Sequence, residues 1–193
     1  MRTILFFLVL LFVIENCASN KKDLISIKQV KSPYQIAIER DKNNIISHVY
    51  LYLTYNIHKS SSKSIRLSTP SYYNKYNRLT TWKSAILYSM EPDTLLFVNS
   101  VYNKKRFIDY DDQNYVVYAV NYIDTIKSKQ AVFIPYIEKM RIENKDTLHI
   151  GTIQEIRDKN PELVNGFLQG DSIRFVFYYD KGYHTITLPV EVK

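Results

Sequence analysis

Cysteine is nearly absent from this 193-residue chain, because Cys17 is the only one. A single cysteine excludes an intramolecular disulfide framework. The chain is still long enough for a substantial core, since a domain of ~150 residues buries roughly 70% of its extended-chain surface. We therefore expect a fold that needs neither disulfides nor metals.

Glycine is also scarce, with four residues at positions 151, 166, 170 and 182. Residues 1–150 contain none, which excludes a glycine-rich phosphate-binding loop from that part of the chain. Turns there must instead use Asn, Asp, Ser and Pro. Tyrosine is abundant, with 17 residues. It suits half-covered strand faces, because the ring packs while the hydroxyl stays hydrated.

No apolar run in the first residues is long enough to span a bilayer. The run Ile4–Ile14 has eleven residues, whereas a transmembrane helix needs ~20. Its length fits a signal-peptide core of ~7–15 residues that follows a positive charge, here Arg2. The sequence therefore predicts a signal peptide over residues 1–16.

Cys17 follows this segment directly, after Ile14, Glu15 and Asn16. The arrangement resembles the lipobox of bacterial lipoproteins, in the looser form of Bacteroidetes-type sequences. The resemblance implies cleavage before Cys17, acylation of Cys17 as the lipid attachment point, and a polar tether over 17–23. It also implies a lipid-anchored cell-envelope protein, in the outer membrane because Ala18 rather than Asp follows. An ordinary secretory signal is the alternative.

Motifs for catalysis and metal binding are missing. There is no GxSxG or SxxK nucleophile motif, and the four histidines form no HxH or HExxH pattern. They are His48, His58, His149 and His184. We therefore predict a protein that is not an enzyme and has no cofactor. A hydrolase whose site is assembled from distant residues is an alternative.

Alternation of apolar and polar residues dominates after residue 24. In 48–57, Val49, Leu51 and Leu53 share one face, and Tyr50 and Tyr52 share the other. Such runs, rich in aromatic and β-branched residues, predict strands. Further strands are predicted at 24–30, 35–40, 63–67, 85–88, 95–101, 105–108, 115–123, 131–142, 147–150, 172–179 and 183–192.

One helical segment interrupts this pattern near 152–168. Asn160-Pro161 divides it into two pieces, with Asn160 as the N-cap of the second, and Gly170 ends it. The predicted fold class is mainly β, an antiparallel β-sandwich (Ig-like) over residues 24–193. Two Ig-like modules, at 24–103 and 104–193, are the alternative.

Two stretches are candidate binding sites. The loop Pro70–Ser84 interleaves aromatic rings with cations, which suits a protein partner, a glycan or, less well, nucleic acid. Its candidate contact residues are Tyr72, Tyr73, Tyr76, Arg78, Trp82 and Lys83. It is otherwise a connection that covers the core edge. Asp109, Asp111 and Asp112 resemble the start of a calcium loop, against a polar hairpin turn as the simpler interpretation.

The net charge of +7 favours anionic partners, but the charges are spread out, and the densest run, Lys104–Arg106, is expected to be solvated surface. We expect a non-catalytic envelope lipoprotein with a membrane anchor and an envelope protein partner. A glycan-binding surface lipoprotein is the second hypothesis. Nucleic acid is not expected as a partner of an exported protein.

Overall fold

The computed structural model describes residues 24–60, 63–75, 85–91, 94–98, 104–108, 112–123, 130–179 and 182–191. Within these ranges the chain is mainly β, with two antiparallel sheets and a short helical part. The predicted antiparallel β-sandwich is confirmed. The strands are β1 (Ile25–Val30), β2 (Ile36–Arg40), β3 (Ile46–Lys59), β4 (Arg66–Leu67), β5 (Ser71–Tyr73), β6 (Ala85–Glu91), β7 (Thr94–Phe97), β8 (Gln113–Tyr122), β9 (Thr147–Gly151), β10 (Ser172–Tyr179) and β11 (Gly182–Pro189).

The large sheet has seven strands in the order β7-β6-β8-β3-β2-β9, with β1 also paired to β3. Strand β3 is its centre and is 14 residues long. One edge of β3 pairs with β8 from His48 to Ile57. The other edge is shared, because β2 pairs with its beginning and β1 with its end.

The small sheet has four strands and is built on β10, which pairs with β11 on one side. Two short strands, β4 and β5, pair with β10 on the other side. Both sheets combine strands from before and after residue 103. The two halves of the chain therefore do not form separate sheets.

The core lies between the two sheets. On the large sheet, alternation turns Val49, Leu51 and Leu53 inward, and each is fully buried. Strand β10 presents Phe175, which is also fully buried and meets Tyr55 of β3 edge-on at 5.0 Å between ring centroids. The period of two along each strand thus sorts the apolar residues onto the facing surfaces.

The structure has three short α-helices in the described residues: α1 (Ile134–Ile142), α2 (Ile153–Lys159) and α3 (Pro161–Leu168). The predicted division at Asn160-Pro161 is confirmed, and the Asn160 side chain accepts a hydrogen bond from the Leu163 amide as N-cap of α3. Helix α2 starts in a capping box of Thr152 and Glu155. No helix in the described ranges is both long and apolar enough to cross a membrane.

The strand predicted over 131–142 is wrong, because this segment forms a 3₁₀ turn (Ala131–Phe133) followed by α1. Its β-branched and aromatic residues favour a strand. However, Pro135 lies in the first turn of α1, and Lys139 and Arg141 lie in the last. Proline is tolerated in the first turn of a helix but not inside a central strand, so Pro135 is a stronger indication than the strand-favouring composition.

The strand predicted over 105–108 is also wrong, because Lys104–Arg106 is a 3₁₀ turn. Arg106 is 2% exposed, which corrects the expectation of a solvated charge run. Its guanidinium donates to the carbonyl oxygens of Leu67 and Val98 and to the Thr69 hydroxyl, at 3.3, 2.7 and 3.0 Å. Burial lowers the pKa of Arg106, with a smaller contribution from Arg66.

Candidate functional site

The structure describes only part of the sequence-predicted sites. Residues outside the described ranges are Cys17, Tyr76, Arg78, Trp82, Lys83, Asp109 and Asp111. Asp112 is exposed, and its carboxylate accepts a hydrogen bond from His58 Nδ1 at 2.8 Å. Within the described residues, no three His, Cys, Asp or Glu side chains are placed to hold a metal ion.

Tyr72 and Tyr73 belong to β5, a strand that the sequence analysis placed in a loop. Tyr72 is fully buried in the core, so its ring is not displayed to a ligand. The Tyr73 ring is half-buried, and the guanidinium of Arg174 lies over it at 4.6 Å from the centroid. Of the predicted contact residues that the structure describes, Tyr72 therefore belongs to the core and Tyr73 packs against Arg174 within the small sheet.

A pocket of about 330 Å³ lies where the end of β8 meets α3 and the beginning of β10. We call it the Asp171 pocket. Its apolar lining includes Ile123, Val132, Phe133, Leu163 and Phe167. Its polar lining includes Asn74, Lys75, Asn121, Glu162 and Asp171. A largely apolar cavity of this size with a few convergent polar groups is the usual form of a ligand site.

Asp171 is 3% exposed and is held by three donors. The Tyr72 hydroxyl and the Asn121 side-chain amide donate to Oδ2, the latter at 3.2 Å. The backbone amide of Lys75 donates to the carboxylate as well. The Asn121 amide also donates to the Phe167 carbonyl at 2.6 Å. Asp171, which directly precedes β10, is thereby bonded to Tyr72 of β5 and Asn121 of β8. Asn121 in turn connects β8 to Phe167 of α3.

Burial raises the pKa of Asp171 to about 6, although the Tyr72 hydroxyl, the Lys75 amide and the Lys75 ammonium act in the opposite direction. Desolvation disfavours the charged form, while donors aimed at a carboxylate favour it. The carboxylate is therefore mostly ionised at pH 7 and mostly protonated at pH 5.

The backbone around Asp171 explains how the pocket forms. Gly170 has φ +87°, a conformation that favours glycine, and a Cβ there would lie 3.0 Å from Lys75 Cβ. The Asp171 amide donates to Leu168 O at 3.0 Å, and the Val190 amide donates to Asp171 O at 2.8 Å. The end of α3 and the last strand thereby fix the main chain at Asp171.

A second feature is the outer face of the large sheet, which carries a cluster of aromatic side chains. We call it the tyrosine face and define it by His48, Tyr50, Tyr52, Tyr118 and Tyr122. Tyr50 and Tyr118 stack at 6.0 Å with an interplanar angle of 7°, and Tyr52 packs on Tyr118 at 4.9 Å. His48 meets Tyr122 edge-on at 4.7 Å.

The margins of the tyrosine face extend its aromatic surface. Tyr34 packs on Tyr52 at 5.7 Å, and Tyr88 of β6 packs on Phe97 of β7 at 5.7 Å. Phe97 is 52% exposed and Tyr122 is 56% exposed. Large apolar side chains exposed together on one surface are typical of an interaction site.

Within the described residues, the carboxylate that contacts the tyrosine face is that of Glu39. The Tyr50 hydroxyl donates to Glu39 Oε2, and His48 Nδ1 lies 3.4 Å from the same oxygen. Burial and this bond raise the pKa of Tyr50, and burial raises the pKa of Tyr118 to about 12. The hydroxyls of Tyr50 and Tyr118 are therefore neutral donors and acceptors throughout the physiological range.

Sequence reasoning missed the Asp171 pocket, because its polar residues come from distant parts of the chain. Asp171 lies 99 positions after Tyr72 and 50 after Asn121. One local signal was present: alternation in β8 places Asn121 on the inward face with Val117 and Ala119. A buried amide on that face requires a polar partner across the core.

Comparisons of this chain with protein-family models, with curated proteins and with solved structures found no significant match.

Proposed function

We propose that this protein is a non-catalytic, lipid-anchored envelope protein that binds a partner protein through the tyrosine face. The packing of the tyrosine rings carries this proposal. Strand side chains stand roughly perpendicular to their sheet. Tyr50 and Tyr118 turn their ring faces toward one another, so the cluster offers edges and hydroxyls outward.

This geometry favours a protein over a glycan. Sugars stack on exposed ring faces, whereas protein interfaces use tyrosine edges and hydroxyls together with apolar side chains. The partner surface is expected to be uncharged and rich in hydrogen-bonding groups, because Glu39 is already engaged by Tyr50 and His48. The tyrosine face lies on β3 and β8, and its margin on β6 and β7 extends the aromatic surface across four strands, a width of ~15 Å at ~4.8 Å spacing.

The glycan and hydrolase alternatives have less support. Tyr72 is buried and one face of the Tyr73 ring is covered by Arg174. The described lining of the Asp171 pocket contains no Ser, Thr, Cys or His as a nucleophile.

Photocrosslinking in cells tests the proposed interface. A photoreactive phenylalanine analogue replaces Tyr122 in one strain and Tyr183, which is 72% exposed on β11, in a matched control. We expect an adduct with a specific envelope protein from position 122 and none from position 183. The purified partner should then bind the wild type at least tenfold more tightly than the Tyr118→Ser/Tyr122→Ser variant, and Tyr183→Ser as tightly as the wild type.

Other outcomes of that experiment contradict the proposal. An adduct between two copies of this chain would make the face a self-association surface. Glycan-array binding that is lost in Tyr118→Ser/Tyr122→Ser would make it a glycan site. The absence of any adduct at position 122 would leave the face without a partner protein.

The anchor is tested separately through Cys17. We expect mass spectrometry of the mature protein to find an acylated Cys17 at the amino terminus, and Cys17→Ser to abolish membrane association. Membrane fractionation of Cys17→Ser together with an unmodified amino terminus would refute the lipoprotein assignment and leave the tyrosine face unaffected.

A further inference from the structure

The Asp171 pocket has the dimensions of a small-molecule site. Its volume of about 330 Å³ falls within the range of roughly 300–1,000 Å³ that ligand pockets occupy. It lies between the sheets, beside the helical segment, whereas the tyrosine face is the outer surface of the large sheet. Tyr122 belongs to the tyrosine face and also lines the pocket, so the two sites share that residue, and the other lining residues lie outside the tyrosine face.

The net formal charge of the pocket lining is negative, opposite in sign to the net charge of the chain. The chain carries a net charge of +7, but the pocket is lined by two carboxylates, Asp171 and Glu162, and one ammonium group, Lys75. Glu162 and Lys75 are exposed, whereas Asp171 is buried. The most deeply buried charged group in the pocket is thus a carboxylate.

Asp171 retains the capacity to accept a further hydrogen bond. An ionised carboxylate has about four lone-pair positions, and the donors are Tyr72, Asn121 and the Lys75 amide. The apolar lining includes Phe133 and Phe167, and aromatic rings attract organic cations. Apolar lining residues beside a buried carboxylate fit a ligand in which a cationic group is attached to an apolar group.

We propose that the Asp171 pocket binds a small organic cation, an alkyl- or arylammonium compound whose ammonium group pairs with Asp171 and whose apolar part packs on Phe133, Leu163 and Phe167. This site is additional to the tyrosine face, and its test does not depend on the partner protein.

Titration calorimetry of the purified full-length protein with three matched probes tests the proposal. The probes are phenethylammonium, neutral 2-phenylethanol and anionic 3-phenylpropionate. We expect phenethylammonium to bind with a Kd of ~1 mM or tighter, as suits a probe of this size. Phenylethanol and phenylpropionate should bind at least tenfold more weakly.

Gly166 provides a variant that fills the pocket without disturbing Asp171. It lines the pocket, and a Cβ added to it meets no atom within 4 Å. Gly166→Leu should therefore fold, since leucine favours a helix over glycine, and should abolish binding. Asn165→Leu adds the same side chain one position earlier, outside the lining, and should bind like the wild type.

Asp171→Asn should weaken phenethylammonium binding at least tenfold. Affinity in the wild type should rise between pH 5 and 7.5, because burial raises the pKa of Asp171 to about 6. The other groups facing this carboxylate are Tyr72, Asn121 and Lys75, and Glu162 shares the pocket. Equal or tighter binding of phenylpropionate, wild-type affinity in Gly166→Leu, or no binding of any probe at 10 mM would overturn the proposal.

Discussion

The hydroxyl of Tyr72 donates a hydrogen bond to the carboxylate of Asp171, and this contact joins two elements of the small sheet at the edge of the core. Both groups are buried, with Tyr72 fully buried and Asp171 3% exposed. Burial and the neighbouring carboxylate hold the pKa of Tyr72 well above its usual range. The pair therefore persists as a neutral phenol and a carboxylate at pH 7.

Removal of that hydroxyl is expected to destabilise the protein and to raise the pKa of Asp171 further. Tyr72→Phe leaves the carboxylate with two donors instead of three, and a hydrogen bond to a charged group contributes about 1.5–3 kcal/mol. Urea unfolding at pH 7 should show this loss, and an NMR titration should place the pKa of Asp171 above 6.

Tyr115→Phe is the matched control. Its ring is buried too, but its hydroxyl donates to the neutral side chain of Gln113 at 2.7 Å. We expect a loss of about 1 kcal/mol, which should not vary between pH 5 and 7. Equal, pH-independent losses in the two variants would contradict a charged Asp171.

Asp171 should also give the stability of the domain a distinctive pH dependence. Its folded-state pKa is raised to about 6 from an ordinary value of 3.8. A carboxyl whose pKa rises on folding stabilises the native state below its unfolded pKa, and this contribution is lost as the pH rises through the folded value. The free energy of unfolding of the wild type relative to Asp171→Asn should therefore fall between pH 4 and 7.

Urea unfolding of both proteins at pH 4, 5, 6 and 7 measures this difference. The tyrosines with shifted pKa values titrate far above this window, so they do not contribute to the change. A difference that stays constant, or that increases with pH, would contradict the direction of the Asp171 shift.

Gln130 connects the segment before α1 to the large sheet through two bonds to one residue. Its side-chain carbonyl accepts from the Ile46 amide and its side-chain amide donates to the Ile46 carbonyl, both at 2.9 Å. Gln130→Glu removes the donor and places a carboxylate in a buried position. We expect a loss of about 2–4 kcal/mol in urea unfolding at pH 7, with partial recovery at pH 4, where the acid can donate.

Gln29 offers the matched control for that change. Its side-chain amide makes the same pair of bonds to the backbone of Glu191, at 2.8 and 3.1 Å, but in a partly exposed position, and its carbonyl oxygen also accepts a hydrogen bond from the Tyr55 hydroxyl at 3.3 Å. Gln29→Glu should therefore lose less than about 1 kcal/mol, because water can replace the missing partner. A larger loss in Gln29→Glu than in Gln130→Glu would show that burial is not the cause.

Arg106 should not be replaceable by lysine. Its planar guanidinium reaches Leu67, Thr69 and Val98 at once, and a lysine ammonium cannot match that geometry. We expect Arg106→Lys to lower the free energy of unfolding by about 1–3 kcal/mol. Arg141→Lys, at an exposed position in α1, should stay within about 0.5 kcal/mol of the wild type. Similar values for the two variants would contradict a structural role for Arg106.

Strands with a clear period of two were predictable from sequence. In β3 and β8 the apolar and tyrosine residues alternate over ten residues or more, and one face of the resulting sheet had to be buried. The alternation did not predict that β3 and β8 are neighbours. That pairing, which brings Tyr50 onto Tyr118, depends on contacts between residues far apart in the chain.

Where the residue composition of a segment and its helix-boundary signals disagreed, the prediction from composition was wrong. The segment 131–142 is rich in residues that favour strands, yet Pro135 and the basic last turn mark the helix α1. Arg106 was misjudged for a different reason. An arginine that follows two lysines usually lies on the solvated surface, and only the fold reveals the carbonyl groups of Leu67 and Val98 that contact Arg106.

The antiparallel pairing of β1 with the end of β3 has a mechanical consequence. A tether attached ahead of residue 24 would pull along the axis of β1, whose six residues are in register with β3. Hydrogen bonds in such a pair lie perpendicular to the strands, so a pull of this kind loads them together in shear. Through the Gln29 amide, part of that load passes directly to Glu191, beyond the last strand.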